Sequence, residues 1–249
     1  MALATLLLTV TSCGSSSPPA PGPGVGTRMA TALPKAITSI PLVDSSGQRR
    51  TLADFAGKVL VISDTMTLCQ ETCPIDTASL VQVAREADQA NLAHDVEFLT
   101  ITVDPQRDTP PQLAAYRALY APTPSNWLTL TGTPSNVNKL WSYFGVYRKH
   151  VADDSPAPTN WRTGLPLTYD VEHSDEVFFI DTAQRERFIL EGVPQVANKK
   201  EVPAKLIRFL SAEGRQNLAG NSAMIGWTEP QARTVIAWLT GNDVLAKYH

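Results

Sequence analysis

The stretch Leu68-Cys69-Gln70-Glu71-Thr72-Cys73-Pro74 decides how this chain is organised, because it holds two of only three cysteines, four residues apart. It follows the short run Lys58 to Ser63, which is rich in β-branched residues and predicts a buried strand. Pro74 suits the first turn of a helix, and apolar residues recur at helical spacing from Thr77 to Ala90. The two cysteines are therefore expected where a strand passes into a helix.

Cysteines in this position are chemically active, because a helix N-terminus lowers the pKa of a thiol. If the chain is already helical at Cys69, a spacing of four places both sulfurs on one face. If it is a loop, three intervening residues still let them approach. Such a pair can exchange disulfides or hold a soft metal. The alternative is a pair of ordinary buried thiols or a structural disulfide, and the scarcity of cysteine elsewhere favours the functional pair.

Composition limits the possible classes of protein. The 249 residues can bury a full core, in one large domain or two small ones. Charged residues make up 18% of the chain and the net charge is -3, so no basic excess indicates a nucleic-acid partner. No internal apolar run reaches about 18 residues, and we expect no transmembrane helix inside the domain.

Residues 1–13 differ from the rest. An apolar run, Ala2 to Val10, leads to Thr-Ser-Cys13-Gly, which is typical of a secretory signal and resembles a bacterial lipobox. The lipobox implies that Cys13 is acylated and anchors the protein to a membrane outside the cytoplasm. No Lys or Arg precedes the run, which departs from the usual signal, and the alternative is a frayed apolar start with an incidental cysteine.

Residues 14–33 begin with a Gly, Ser and Pro-rich segment and are expected to form a disordered tether. A tether behind an acylated cysteine makes sense only outside the cytoplasm. That compartment is oxidising enough for a disulfide between Cys69 and Cys73.

The remaining pattern of elements predicts an α/β fold of the thioredoxin-like type, with an N-terminal β-hairpin, an insertion before the last hairpin and a C-terminal helical tail. The domain is expected over 34–213 and the tail, with one helix, over 214–249. The expected elements after the first helix are strand Val96–Val103, helix Gln112–Tyr120, strand Trp127–Thr131, a helix ended by Gly145, the insertion or long hairpin Val146–Tyr169, the hairpin Glu176–Glu191, helix Val202–Glu213 and helix Glu229–Leu239.

Four stretches between about Pro34 and Leu210 resemble the Sco/SenC/PrrC family of copper-binding, thioredoxin-like proteins that serve cytochrome c oxidase assembly. The two most diagnostic resemble the family's Asp-Pro-x-Arg-Asp-Thr-Pro block and its Tyr-x-Val-Asp-His-Ser block. The matching stretches are Cys69 to Pro74, Leu99 to Pro110, Leu130 to Val146 and Tyr169 to Ser174.

The resemblance implies that Cys69, Cys73 and His173 are copper ligands, since two thiolates and one imidazole suit Cu(I). A lone histidine is more often a hydrogen-bonded core residue, but the matching block around His173 favours a ligand. An oxygen from Asp64, Glu71 or Asp76 would complete or tune a Cu(II) site. The other histidines, His94, His150 and His249, are not expected at the site, and Met66 is expected to pack rather than to bind metal.

Asp104, Arg107 and Asp108 are expected to form an ion-pair and capping network without a ligand role. The chain also departs from the family: Ser63 to Leu68 replaces an aromatic-Gly-aromatic-Thr run, and Gln70 to Thr72 and Glu172 replace other usual residues. These changes keep all three ligands and affect metal affinity, redox properties or partner choice.

The cysteine pair and the resemblance are consistent with two functions. In the first, the protein is an extracytoplasmic copper chaperone that delivers copper to a respiratory oxidase subunit. In the second, it is a membrane-tethered thiol–disulfide oxidoreductase whose redox pair, Cys69 and Cys73, acts on exported cysteine pairs. Thioredoxins usually carry a cis-proline where this chain has Val171 to Ser174, which favours metal binding. In the tail, Trp227 and Trp238 are expected to pack on the domain rather than to contact a partner.

Overall fold

The computed structural model describes residues 17–152, 157–222 and 225–248. The lipobox cysteine Cys13 and the terminal His249 lie outside the described residues. Within the described ranges, no helix is both long enough and apolar enough to cross a membrane.

The structure alternates strands and helices, as an α/β fold requires. The strands are β1 (Thr27–Ala32), β2 (Leu42–Asp44), β3 (Arg49–Arg50), β4 (Val59–Thr65), β5 (Val96–Thr102), β6 (Trp127–Thr131), β7 (Arg148–Val151), β8 (Asp170–His173), β9 (Glu176–Ile180), β10 (Arg185–Glu191), β11 (Val193–Gln195) and β12 (Ile225–Thr228). The helices are α1 (Lys35–Thr38), α2 (Cys73–Gln89), α3 (Pro110–Leu119), α4 (Pro134–Phe144), α5 (Ala204–Phe209), α6 (Ala212–Ala219) and α7 (Glu229–Thr240), with short 3-10 turns at Leu52–Phe55, Lys199–Glu201 and Leu245–Lys247.

A central sheet of eight strands has the order β1-β10-β9-β4-β5-β6-β2-β3. Strands β4, β5 and β6 run parallel, and β9 joins β4 in the antiparallel sense. Two smaller pairs stand apart from it, the antiparallel pair β7–β8 and the parallel pair β11–β12. Strand β4 is central and buried along its whole length, so residues at its carboxyl end are held firmly.

Two hydrophobic layers cover the faces of this sheet, because successive side chains of a strand point to opposite faces. Val59 and Val61 of β4 pack in one layer with residues of α2, α3 and α7. Leu60 and Ile62 pack in the other with residues of α1 and α4. This arrangement, and the likeness to solved structures reported below, confirm the predicted thioredoxin-like α/β class.

Most of the expected elements are present. Strand Trp127–Thr131 has the predicted bounds, and α4 ends at Gly145, which adopts the left-handed conformation with φ 81°. In this region β7 pairs with β8, so the described residues on either side of 153–156 form a hairpin. The helix after the cysteines begins earlier than predicted, at Cys73 itself, with Pro74 in its first turn.

The predicted helix Val202–Glu213 is wrong, because the chain breaks into α5 and α6 at Leu210 and Ser211. Ser211 is extended and caps α6, accepting a hydrogen bond from the Gly214 amide at 3.1 Å. Its own amide donates to the Gln70 carbonyl at 3.0 Å. A contact with the cysteine loop therefore replaces a continuous helix.

The N-terminal tether prediction, 14–33, is corrected at its end, because Thr27–Ala32 form strand β1 on β10. The composition of the segment did not show the backbone pairing that orders it. The tail contains more than the one predicted helix, since α6 and β12 precede α7. Trp227 is 1% exposed and Trp238 packs on the core, so both tryptophans pack as predicted. The remaining domain boundaries stay predictions.

A buried ion pair joins the tail to the domain. Arg233 of α7 donates to both carboxylate oxygens of Glu86 in α2, at 3.1 and 2.9 Å. Their side chains are only 7% and 10% exposed. The tail is therefore part of the folded unit.

Replacing Arg233 alone should destabilise the protein strongly, because it leaves the Glu86 charge buried and unpaired. We expect R233M to lower the free energy of unfolding by about 3 kcal/mol. The double variant R233M/E86M should recover most of the loss, and the exposed Lys247 offers a control, K247M, with little effect. Urea unfolding measures all three, and an unchanged midpoint in R233M would contradict the role of this pair.

Candidate metal centre

The cysteine loop lies between β4 and α2. Cys69 is in the loop, so the loop alternative holds, while Cys73 is the first residue of α2. The Cys69 sulfur accepts hydrogen bonds from the amides of Glu71 and Cys73 at 3.5 and 3.4 Å. Both side chains are thiols in the structure and both are buried. Amides at a helix N-terminus that point at a sulfur favour its thiolate.

His173 reaches the cysteines from the end of β8, one hundred residues further along the chain. Its Nε2 lies 3.3 Å from the Cys73 sulfur. One ligand atom from each of Cys69, Cys73 and His173 lies within 4.8 Å of the others. The structure thus brings together the three residues that the sequence singled out, and they are close enough to bind one ion.

The other ring nitrogen of His173 is held by a carboxylate. Nδ1 lies 2.8 Å from Oδ2 of Asp64, at the carboxyl end of β4, and 3.0 Å from the Ser174 carbonyl oxygen. The second oxygen of Asp64 accepts the Glu176 amide at 3.0 Å. A histidine whose Nδ1–H is held by a backbone carbonyl or a carboxylate directs the Nε2 lone pair toward a metal. This contact fits a metal centre better than a core histidine.

The surroundings of the two thiols shift their pKa values in opposite directions. A hydrogen bond from Cys73, opposed by burial and supported by His173, lowers the pKa of Cys69 well below its ordinary value. Burial, together with that hydrogen bond, raises the pKa of Cys73 well above its ordinary value. Cys69 is therefore the more acidic thiol of the pair.

Carboxyl groups determine the charge on His173. Burial alone would lower the pKa of His173, but hydrogen bonding to Asp64 and Cys69 and the charges of Asp64 and Asp175 together outweigh burial, so the pKa rises well above its ordinary value. Burial also raises the pKa of Asp175 to about 7, and Asp175 accepts a hydrogen bond from Thr72 at 3.0 Å. A metal ion bound here would displace protons from the thiols and the imidazole.

A cavity of about 560 Å³ opens over this group. Cys69 and His173 line it, with Ser211 and Glu213 on one side and the β7–β8 hairpin on the other. Among the described residues that line it, five have carboxyl groups and none is Lys or Arg: Glu71, Asp170, Glu172, Asp175 and Glu213. A cavity of this composition favours a cation over an anion.

The predicted network of Asp104, Arg107 and Asp108 is present and lies behind the site. Arg107 makes an ion pair with Asp104 and donates to the Tyr169 carbonyl at 2.6 Å and to the Met66 sulfur at 3.2 Å. Its guanidinium also stacks on the Tyr169 ring at 3.9 Å. Arg107 thereby links the segment before Cys69 to the strand that carries His173.

Asp108 fixes the same segment from a second side. Its carboxylate accepts hydrogen bonds from the Thr67 amide at 3.1 Å and from the Thr67 hydroxyl at 2.5 Å. Trp161, in the insertion, donates its indole N–H to the Thr67 carbonyl at 2.6 Å. Thr67, two residues before Cys69, is thus held at every polar backbone atom. No local pattern pointed to Trp161, because its role depends on a contact with a residue 94 positions away in sequence.

The other candidates have different places. Asp64 contacts His173, Glu71 lines the cavity, and Asp76 is buried below it with Oδ1 unpartnered. Met66 is 1% exposed within the core, in agreement with packing. Sequence reasoning missed Asp175, whose nearness to His173 in sequence was the only available signal.

The other described histidines stand apart from the donor group, as predicted. His150 stacks on Tyr169 with ring centroids 4.8 Å apart, and His94 lines a different cavity beside Lys58.

Fold and site together define a thioredoxin-like domain with two cysteines and one histidine arranged to hold a soft metal. A family model described as SCO1/SenC matches residues 31–211. This chain therefore belongs to the SCO1/SenC family.

Curated relatives support this membership over part of their length. The human mitochondrial SCO1 homolog is 32% identical over 106 residues, which are 43% of this chain and 34% of that protein. The mitochondrial SCO2 homolog of Danio rerio is 29% identical over 140 residues, or 56% of this chain and 46% of that protein. The chain thus spans less than half the length of these relatives.

Solved structures share the fold. A SCO1/SenC family lipoprotein from Bacillus anthracis has a TM-score of 0.53 at 23% identity, covering 74% of this chain and 97% of its own. ScoI of Bradyrhizobium japonicum, solved with copper bound, has a TM-score of 0.51 at 24% identity, and the match covers 72% of this chain and 96% of that chain.

Arg107 should be needed for the joint placement of the cysteine loop and β8. We expect R107M to lower the free energy of unfolding by about 2 kcal/mol, because charge-assisted hydrogen bonds to two segments are lost. Hydrogen exchange at the amides of Thr67 and Val171 should become faster. The exposed Arg185 offers a control, R185M, which should leave those amides unchanged. Equal exchange in wild type and R107M would contradict the linking role.

Proposed function

We propose that this protein binds one copper ion through Cys69, Cys73 and His173 and delivers it to a subunit of a respiratory oxidase during cytochrome c oxidase assembly. The observation that carries the proposal is the convergence of two sulfurs and one imidazole nitrogen within 4.8 Å. Two thiolates and an imidazole form a soft donor set that suits copper. Membership of the SCO1/SenC family supports the same cargo.

Binding follows from the protonation states of the three ligands. Copper binding requires both sulfurs as thiolates and Nε2 of His173 without a proton, so uptake releases protons. Nδ1 stays in contact with the Asp64 carboxylate and the Ser174 carbonyl, which keep the ring oriented.

Delivery follows from the same geometry. The cavity exposes Cys69 and His173 to a partner, whose thiolates or imidazoles replace these ligands one at a time. The five carboxyl groups of the cavity attract a cationic cargo until the exchange is complete. A disulfide between Cys69 and Cys73 removes both thiolates, so the redox state of the pair controls loading.

We place the protein outside the cytoplasm, anchored to the membrane by a lipid on Cys13. The apolar run and the lipobox-like Val-Thr-Ser-Cys order support this proposal. Mass spectrometry of the membrane fraction tests it, since an acylated N-terminal Cys13 is expected and a mature chain that retains Met1 would contradict it.

A thiol–disulfide oxidoreductase is the second candidate, favoured by the contrast between a low-pKa Cys69 and a high-pKa Cys73. The Cys69 thiolate would attack a partner disulfide, and Cys73 would then displace the partner. The partner gains two electrons and two protons, and Cys69–Cys73 becomes a disulfide. A redox titration without metal distinguishes the two, because turnover with a partner disulfide together with weak copper binding favours this candidate.

Copper stoichiometry after anaerobic reconstitution and desalting tests the ligand set. The wild type should retain about one copper per chain, and C69A, C73A and H173A should each lose it, because two ligands do not hold the ion tightly. The matched control is H94A, which removes a histidine remote from the site and should keep full loading. Circular dichroism of each variant checks the fold. Tight retention of copper by folded H173A would remove the assigned ligand set.

A further inference from the structure

The first turn of α6 lies directly on the peptide between the two cysteines. The Ser211 amide donates to the Gln70 carbonyl at 3.0 Å. A Cβ atom added at Gly214 would lie 2.0 Å from that carbonyl oxygen and 3.0 Å from its carbon. Because real Cβ atoms do not approach backbone so closely, only glycine allows α6 to contact the loop in this way.

The Ser211 side chain fixes the turn that carries this contact. Its hydroxyl oxygen accepts the Gly214 amide at 3.1 Å and so caps α6. The residue that donates to the Gln70 carbonyl and the glycine that packs against that carbonyl are therefore held in one helical turn.

The placement of this peptide determines where the Cys69 sulfur lies. The amides of Glu71 and Cys73 both donate to that sulfur, so a shift of the peptide moves it away from Cys73 and His173. The family model matches residues 31–211, and Gly214 lies just beyond them. Family resemblance therefore does not predict this contact.

The helix is itself firmly attached. After α6 the chain forms β12 on β11 and then α7, whose Arg233 pairs with the buried Glu86 of α2. Helix α2 begins at Cys73, so the tail and the second cysteine share one rigid support. The first turn of α6 also forms a wall of the cavity through Ser211 and Glu213.

We propose that Ser211 and Gly214 are positioning residues that fix the conformation of the Cys-x-x-x-Cys loop and so set the copper affinity of the site. The proposal rests on the proposed copper function. Ser211 is the last residue that the family model matches, and Gly214 lies beyond it. The C-terminal segment thereby contributes to the positioning of the metal centre.

The variants S211A and G214A test this assignment. In both, the dissociation constant for Cu(I), measured by competition with a chromophoric chelator, should rise roughly tenfold or more, as for other residues that support metal ligands. In the copper-free proteins, the rate at which iodoacetamide alkylates Cys69 should change several-fold, because the amides that contact its sulfur move with the loop.

The matched control is T133A, which removes a comparable helix cap in α4, where Thr133 accepts the Asn136 amide. It should leave copper affinity and alkylation rate unchanged. Wild-type values in S211A and G214A would overturn the proposal, and S211A decides alone if G214A does not fold. If the wild type takes up no copper, the proposed function fails, whereas an unchanged alkylation rate in both variants overturns the positioning role separately.

Discussion

The contact between the Asp64 carboxylate and Nδ1 of His173 is the constraint on which the site depends. At 2.8 Å it fixes the ring so that Nε2 faces the sulfurs. Asp64 is itself fixed because β4 is buried along its length and because Glu176, at the start of β9, donates to its second oxygen. The pairing of β4 with β9 therefore orients the His173 ring, although neither strand contains His173.

This dependence explains why a long hairpin and a network of charged residues surround the centre. His173 comes from the separate pair β7–β8, whose position relative to the central sheet is set by contacts through Tyr169 and Arg107. Thr67 and Met66 are bound to the same network from the cysteine side. The two halves of the donor set, one hundred residues apart in sequence, thus share one support.

Local pattern predicted much of this structure. Buried strands of β-branched residues, helix caps and turn glycines are specified within a few residues, which is why β4, β6 and α4 were predicted within about two residues of their observed bounds. The three proposed ligands were singled out by motif resemblance and thiol spacing. Their approach in space could not be read from residues one hundred positions apart.

The failures share one physical cause. The apolar pattern over 202–213 predicts one helix, but the Ser211 amide donates a hydrogen bond to the Gln70 carbonyl. Rules based on local sequence do not take this contact with the cysteine loop into account. Strand β1 is ordered by pairing with β10, not by its composition. The sequence offered Asp64, Glu71 and Asp76 as equal sources of oxygen, and only the fold shows that Asp64 lies against the histidine. In each case a tertiary contact decides between conformations or roles that local sequence leaves equal.

X-ray absorption at the copper edge of anaerobically loaded protein identifies the ligand atoms without reference to any variant. We expect Cu(I) with two sulfur ligands and one imidazole nitrogen from this chain. A spectrum with no sulfur, or with sulfur and no imidazole scattering, would contradict this ligand set.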